Sequence, residues 1–221
     1  MKPQSSRGES MSNDKKILDL MYSITSSTTS EELRDIYDQW ADHYEHDLVD
    51  AHQYAMPARA AALAATRLID RNIAVLDVGC GTGLSGLALQ AQGFTNLDGC
   101  DLSPGMLAIA QERAIYGHLF EVDLLAPPMA IADGHYDLTI AVGAFATGHL
   151  GGPAIDELLR ITKQSGTLIV TTNDHFYETG VLQEKFAELQ QESRITGFLA
   201  EHGDHIPGKN IGGWVFSMSK V

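Results

Sequence analysis

The sequence predicts an α/β fold: a mostly parallel sheet with helices on both faces and an antiparallel pairing at its end. Three observations carry this. Short, almost continuously apolar runs such as VLDV and LTIAV are what strands buried on both faces look like. Helical stretches separate these runs and are long enough to serve as crossovers between parallel neighbours. The last two apolar runs are separated only by the polar HGDHIPGKN, with no crossover helix, so they must pair antiparallel.

Residues 1–28 are rich in Ser, Thr, Lys and Asn and read as a disordered or loosely held arm, ahead of one domain over 29–221. Thr29-Ser30-Glu31-Glu32 is a capping box, so a helix begins there. Leu33, Ile36, Tyr37, Trp40, Tyr44 and Leu48 then recur at three- and four-residue intervals as one apolar, aromatic stripe. The Ala-rich run that follows predicts a second helix over 57–70. Strands are predicted over 73–78, 96–100, 118–122, 137–142 and 167–172, and helices over 84–92, 104–116, 153–162 and 181–193. Ser103 caps the 104–116 helix, with Pro104 in its first position. The late strands fall at 196–201 and 213–218.

Composition narrows the function. The chain has 221 residues and a net charge of -14, from 29 acidic and 15 basic residues. That field repels a polyanion, so neither a nucleic-acid substrate nor an anionic membrane surface is expected. No run approaches the roughly 20 apolar residues of a membrane span, and MKPQSSRGES has no apolar signal core, so a cytoplasmic protein is expected. The two cysteines, Cys80 and Cys100, are too few for a disulfide scaffold and read as reduced, partly buried thiols.

VLDVGCGTGLSG, residues 75–86, fits two cofactor motifs at once. Gly81, Gly83 and Gly86 spell the dinucleotide fingerprint G-x-G-x-x-G, while Gly79, Gly81 and Gly83 spell the G-x-G-x-G loop of an S-adenosylmethionine site. Asp77 separates the two. A dinucleotide strand would run through Cys80 with the carboxylate in its interior, and a pyrophosphate would suit that carboxylate badly. A strand ending at Val78 instead sets Asp77 near the ligand-binding edge, where it suits a cofactor with a positive amino group and sulfonium. Asp101 ends the second strand, placed to accept both ribose hydroxyls. Asp123 ends the third, placed to accept from the adenine amino group with Leu124 against the ring. Three carboxylates closing three consecutive strands predict S-adenosylmethionine over NAD.

VLDVGCGTG, GCDLSPGML, EVDLL and YDLTIAVGA resemble, in order and spacing, the successive motifs of class I S-adenosylmethionine-dependent methyltransferases. YDQWADHYEHDL, AVGAFATGHL and ELLRITKQSGTLIVTT are similar to the methyltransferase-like protein 27 family. The resemblance implies a Rossmann-like, seven-stranded sheet with an antiparallel last strand and an amino-terminal helical lid over 29–70. It implies a cofactor site drawn from Gly79, Cys80, Gly81, Leu102, Met106, Val142 and Gly143 beside the three aspartates, with Trp40 and Tyr44 near the methionine end. Gln164-Ser165-Gly166 replaces the Pro-Gly-Gly of many relatives, away from the cofactor. The N-P-P-Y and Pro-Cys signatures of nucleic-acid methylation are absent.

Methyl transfer from a sulfonium needs alignment and exclusion of water, and a base only where the acceptor must lose a proton. His149, after the fourth strand, and His175, after the fifth, are the candidate bases. His43/His46 and His202/His205 lack a third ligand at a recognisable spacing, so no metal is expected. The reading is a methyltransferase acting on a small molecule; a non-catalytic S-adenosylmethionine-binding module is the alternative.

Overall fold

The computed structural model describes residues 24–50 and 52–221. Most of the amino-terminal arm, 1–23, lies outside them. Helix α1 (Ser30–Trp40) opens on the expected capping box: the Glu32 carboxylate accepts the Thr29 N–H at 2.8 Å, and Thr29 Oγ1 accepts the Glu32 N–H. The helix then tightens into a 3-10 turn (Ala41–His43) and widens into a π turn (His46–Asp50). Helix α2 (Met56–Arg67) follows.

The alternating part runs β1 (Val75–Val78), α3 (Leu84–Ala91), β2 (Leu97–Asp101), α4 (Pro104–Glu112), β3 (His118–Glu121) and β4 (Tyr136–Phe145). It continues with α5 (Gly152–Ile161), β5 (Thr162–Asn173), α6 (Asp174–Tyr177), α7 (Val181–Gln191), β6 (Ile195–Ile206) and β7 (Ile211–Lys220). The strands form one seven-stranded sheet in the order β3-β2-β1-β4-β5-β7-β6. β7 runs antiparallel to both of its neighbours, and the other pairings are parallel.

The ends of several elements differ from expectation. Helix α4 stops at Glu112, because Ala114 takes a left-handed φ of 54° and turns Tyr116 inward. HGDHI belongs to β6, so β6 and β7 form a long hairpin closed by the turn Pro207–Lys209 and left-handed Asn210.

Two apolar layers hold the sheet. On one face Leu158, Leu182 and Phe186 of the helices pack on Leu76, Leu168 and Phe216. On the other, Met56, Ala60 and Ala64 of α2 pack on Val75, Leu138, Ile140 and Val215. Side chains alternate along a strand, so Val75 and Asp77 share the second face. Asp77 therefore projects under α3 rather than out of the sheet edge.

Candidate functional site

The order of strands reverses at β1, which has β2 on one side and β4 on the other. Crossovers there leave to opposite faces, and the gap between them at the carboxyl ends is where open α/β sheets bind ligands. A cleft of about 700 Å³, counting its open mouth, lies at that point. Gly79 and Gly81 line it from the loop after β1, Asp101, Leu102 and Met106 from β2 and the start of α4, and Asp123, Leu124 and Leu125 from the end of β3. Val142, Gly143 and Ala144 close it from β4, while Leu33, Tyr37 and Tyr44 cover it from the amino-terminal helices. His149 and Leu150 complete the wall.

The wall from β4 depends on a bulge. Ala141 pairs with Val170 and Phe145 with Thr172, so three residues face Thr171 alone. Gly143 sits in this bulge at φ +77°, its N–H donating to Thr171 Oγ1 at 2.9 Å. Bulges re-aim side chains at the rim of a sheet. Here one turns residues 142–144 into the cleft.

The aspartates differ in their settings. Asp101 Oδ2 accepts the Gly81 N–H at 2.8 Å and Oδ1 the Ser103 N–H at 2.9 Å, so the carboxylate fixes the glycine loop while facing the cleft. Each oxygen keeps a lone pair for a further donor. Burial raises the Asp101 carboxyl above its usual range, against those backbone bonds. Asp123 Oδ1 accepts the Leu125 N–H at 2.8 Å, which curls the chain after β3 around the cleft.

Asp77 lies beneath the loop, fully buried, and does not line the cleft. Its Oδ2 accepts from Ser85 Oγ and Tyr116 Oη, both at 2.6 Å, and Oδ1 has no partner among the described residues. Burial pushes its carboxyl up to about 6, with the two hydroxyls opposing. Gly86, third glycine of the dinucleotide spelling, has a packing reason to be glycine. A Cβ there would come 2.5 Å from Tyr116 Cζ and 2.8 Å from Ile115 Cδ1, displacing the ring that reaches Asp77.

The remaining sequence candidates divide. Tyr44 faces the cleft, while Trp40 is 2% exposed, donates its indole N–H to Asp47 at 2.9 Å and supports Tyr44 edge-on. Cys80 is buried behind the loop, its thiol raised by burial, and both cysteines are free. His149 is in the wall, whereas His175 is exposed on α6 and outside the lining. Ala144 and Leu150 carry no sequence signal for the site, while Leu33 and Tyr37 were legible only as members of the lid stripe. Tyr54 also went unnoticed: a Cβ on Gly143 would come 2.6 Å from its hydroxyl. Among the described residues, no cluster of three or more His, Cys, Asp or Glu is arranged to hold a metal, and no helix is long and apolar enough to cross a membrane.

The donor set fits S-adenosylmethionine. Carboxylates close β2 and β3, no Lys or Arg among the described residues lines the cleft to meet a phosphate, and Gly81 leaves open space where a Cβ would stand. Fold and site thus define a class I S-adenosylmethionine-dependent methyltransferase. Residues 75–166 match the methyltransferase domain family. Methyltransferase-like protein 27 of Homo sapiens is 34% identical over 170 residues, covering 74% of this chain and 68% of that protein. The chain belongs to the methyltransferase-like protein 27 family, and its cofactor is S-adenosylmethionine. The 18S rRNA (guanine(1575)-N(7))-methyltransferase of Saccharomyces cerevisiae is 37% identical over 70 residues, 32% of this chain and 25% of its own length. Among solved structures, an S-adenosylmethionine-dependent methyltransferase of Thermotoga maritima, described as a possible histamine N-methyltransferase, superposes with a TM-score of 0.61 at 18% identity. The match covers 85% of this chain and 98% of that one. The 4+2 cyclase SpnF superposes at 0.65 with 20% identity, over 87% and 97%. At these identities the two structures share the fold.

Proposed function

We propose that this protein transfers the methyl group of S-adenosylmethionine to a small-molecule acceptor in the cytoplasm. The observation that carries the reading is the charge of the cleft: carboxylates at two strand ends, no Lys or Arg in the lining among the described residues, and a net charge of -14 for the chain. Such a field disfavours nucleic acid and anionic surfaces and leaves small neutral or cationic acceptors.

Asp101 would hold the ribose hydroxyls and Asp123 the adenine amino group, with Leu102, Met106 and Leu124 against the ring. The loop from Gly79 to Gly81 would pass beneath the methionine end, with Asp77 as the buried counter-charge. When bound, the cofactor supplies an electrophilic methyl group on a sulfonium. The chain's own contribution is alignment and exclusion of water. Leu33, Tyr37 and Tyr44 roof the cleft. The roof is tied down by Asp38, which accepts from Ser103 Oγ and from the Gly105 N–H at 2.9 Å, and by the Arg113–Glu45 ion pair. Alignment of this kind can supply ~7–11 kcal/mol of a barrier.

The test is S-adenosylhomocysteine formation from the full chain, S-adenosylmethionine and a protein-free metabolite extract, beside parallel RNA and protein fractions. Turnover with the metabolite fraction is expected. Turnover confined to a macromolecular fraction would overturn the acceptor class, and binding without turnover in any fraction would favour the non-catalytic module.

A further inference from the structure

The wall of the cleft holds two titratable side chains in contact. Tyr37, from α1, and His149, from the loop after β4, both line it, with Tyr37 Oη 2.7 Å from His149 Nε2. His149 Nδ1 lies 2.9 Å from the Thr147 carbonyl oxygen, which can only accept. Nδ1 therefore carries the ring proton, and Nε2 offers its lone pair to the Tyr37 O–H. Burial holds the imidazole below its usual range, so the ring is neutral near pH 7. Burial raises the Tyr37 hydroxyl, as do nearby Tyr44 and Asp101, so Tyr37 is protonated at rest. Among the described residues no Lys or Arg lines the cleft to stabilise a phenolate there. Tyr37 can thus pass a proton on while His149 is the group able to keep one.

The geometry points to a proton relay, Tyr37 to His149, that deprotonates a neutral hydroxyl acceptor, an alcohol or a phenol. The inference rests on the methyltransferase reading above. A carboxylate acceptor has no proton to lose and would meet Asp101 and Asp123 with no Lys or Arg in the lining among the described residues. A neutral amine attacks with its own lone pair and does not need the pair. A hydroxyl does need it, because an O-methyl oxonium is a poor product unless the proton leaves as the bond forms. The acceptor oxygen bonds to the methyl carbon, and the pair of the broken carbon–sulfur bond remains on sulfur. The hydroxyl proton passes to Tyr37 Oη as the Tyr37 proton passes to His149 Nε2. The positive charge leaves sulfur and ends on the imidazolium, which returns its proton to solvent.

The competing role is a latch, in which the same hydrogen bond only pins α1 to the loop after β4. His149→Gln separates the two, because its amide oxygen can still accept from Tyr37 but is not basic. Tyr37→Phe removes the conduit. The first measurement is nitrogen-15 histidine NMR on the full chain with S-adenosylhomocysteine at pH 7. The Nδ1–H tautomer is expected at His149; an Nε2–H tautomer or an imidazolium would overturn the relay. The second is transfer of a deuterated methyl group to the protein-free metabolite extract, from pH 5 to 9. His149→Gln should lower the rate roughly 100-fold or more, and Tyr37→Phe should also slow it. Both should keep the S-adenosylhomocysteine affinity within about two-fold, and the glutamine variant should lose the single-proton acid limb of the wild-type profile. The label should appear as methyl ether. A glutamine variant with the wild-type rate and acid limb leaves only the latch, and label on nitrogen or carboxylate overturns the acceptor class. No transfer in any fraction, with the tautomer as expected, overturns the methyltransferase reading and the relay together.

Discussion

Replacing Asp77 by Asn should make the ligand-free protein more tolerant of neutral pH while removing most of its affinity for the cofactor. Burial lifts the Asp77 carboxyl from 3.8 to about 6, so between those values the native state holds a proton that the unfolded chain has released. The stability linked to that proton is fully present below about pH 4 and lost as pH rises through 6. Two units of displacement correspond to roughly 3 kcal/mol. Asn cannot ionise and keeps one oxygen for Ser85 and Tyr116. Its amide, however, falls where Oδ1 has no partner, a cost of about 1–3 kcal/mol. Relative to wild type, Asp77→Asn should therefore be equal or better by ~0–2 kcal/mol at pH 7.5 and worse by ~1–3 kcal/mol below pH 4. That swing is roughly 6–12 °C in Tm for a chain of this size. Thermal unfolding of both proteins from pH 3.5 to 8 measures it, and the difference between the curves isolates Asp77 from depressed carboxylates such as Asp156 and Glu157, which titrate alike in both. An excess of S-adenosylmethionine should then raise the wild-type Tm and barely move the variant. Parallel Tm–pH curves, or equal stabilisation by the ligand, would refute the role given to the buried carboxylate.

Three further outcomes test the rest of the site. Asp101→Asn should weaken S-adenosylhomocysteine binding by about 1.5–3 kcal/mol in calorimetry, since the charge-assisted bonds to the ribose are lost; an unchanged affinity would place the ribose elsewhere. Gly143→Ala should destabilise the protein by roughly 2–3 kcal/mol, from its φ of +77° and the close approach to Tyr54, and Tyr54→Phe should recover only the steric share in a double-mutant cycle. Hydrogen exchange should show amides of residues 33–48 gaining protection on adding S-adenosylhomocysteine, more than those of α7, if the amino-terminal helices close over the ligand. Equal gains, or none, would reduce Tyr37 and Tyr44 to packing on the core.

The parts of the fold legible in the sequence are those written by periodicity. Apolar runs and the missing crossover helix before the last strand were enough for a parallel sheet ending in an antiparallel pair, and the resemblance assigned the reversed direction to the last strand, β7. The ends of elements were less legible, because single residues set them: Ala114 stops α4, and HGDHI pairs as an edge strand although its pattern is polar. In the cleft, Asp101 and Asp123 were readable because each closes a predicted strand, in step with Asp77 on the strand before. Periodicity set Tyr37, Trp40 and Tyr44 on one helical stripe without dividing them, and the resemblance favoured Trp40 and Tyr44, where the structure lines the cleft with Tyr37 and Tyr44. The stripe assumes 100° per residue, but the chain tightens over Ala41–His43, so the step from buried Trp40 to Tyr44 in the cleft no longer follows that period. The bulge at Gly143 left a faint signal, a glycine within a strand pattern. Tyr54 left none, since its place depends on how α2 docks.

Beneath the glycine loop, the two cofactor spellings of residues 79–86 come apart on physical grounds. A helix amino terminus after a glycine loop is a seat for phosphate, because its free N–H groups and dipole favour an anion. In this chain an internal anion already has that seat. Asp77 accepts from Ser85 in the first turn of α3 and from Tyr116, and the Gly86 N–H also favours its ionised form. A pyrophosphate would have to share the site with this carboxylate at close range, and the guanidinium at the loop, Arg113 on the Thr82 carbonyl, is already paired with Glu45. A positively charged ligand above the loop would instead relieve the carboxylate that burial has pushed towards neutrality. Gly86 belongs to this arrangement through the room it leaves for Tyr116. The loop can therefore spell a dinucleotide motif letter by letter and still select the sulfonium cofactor, through one aspartate that the strand keeps out of sight.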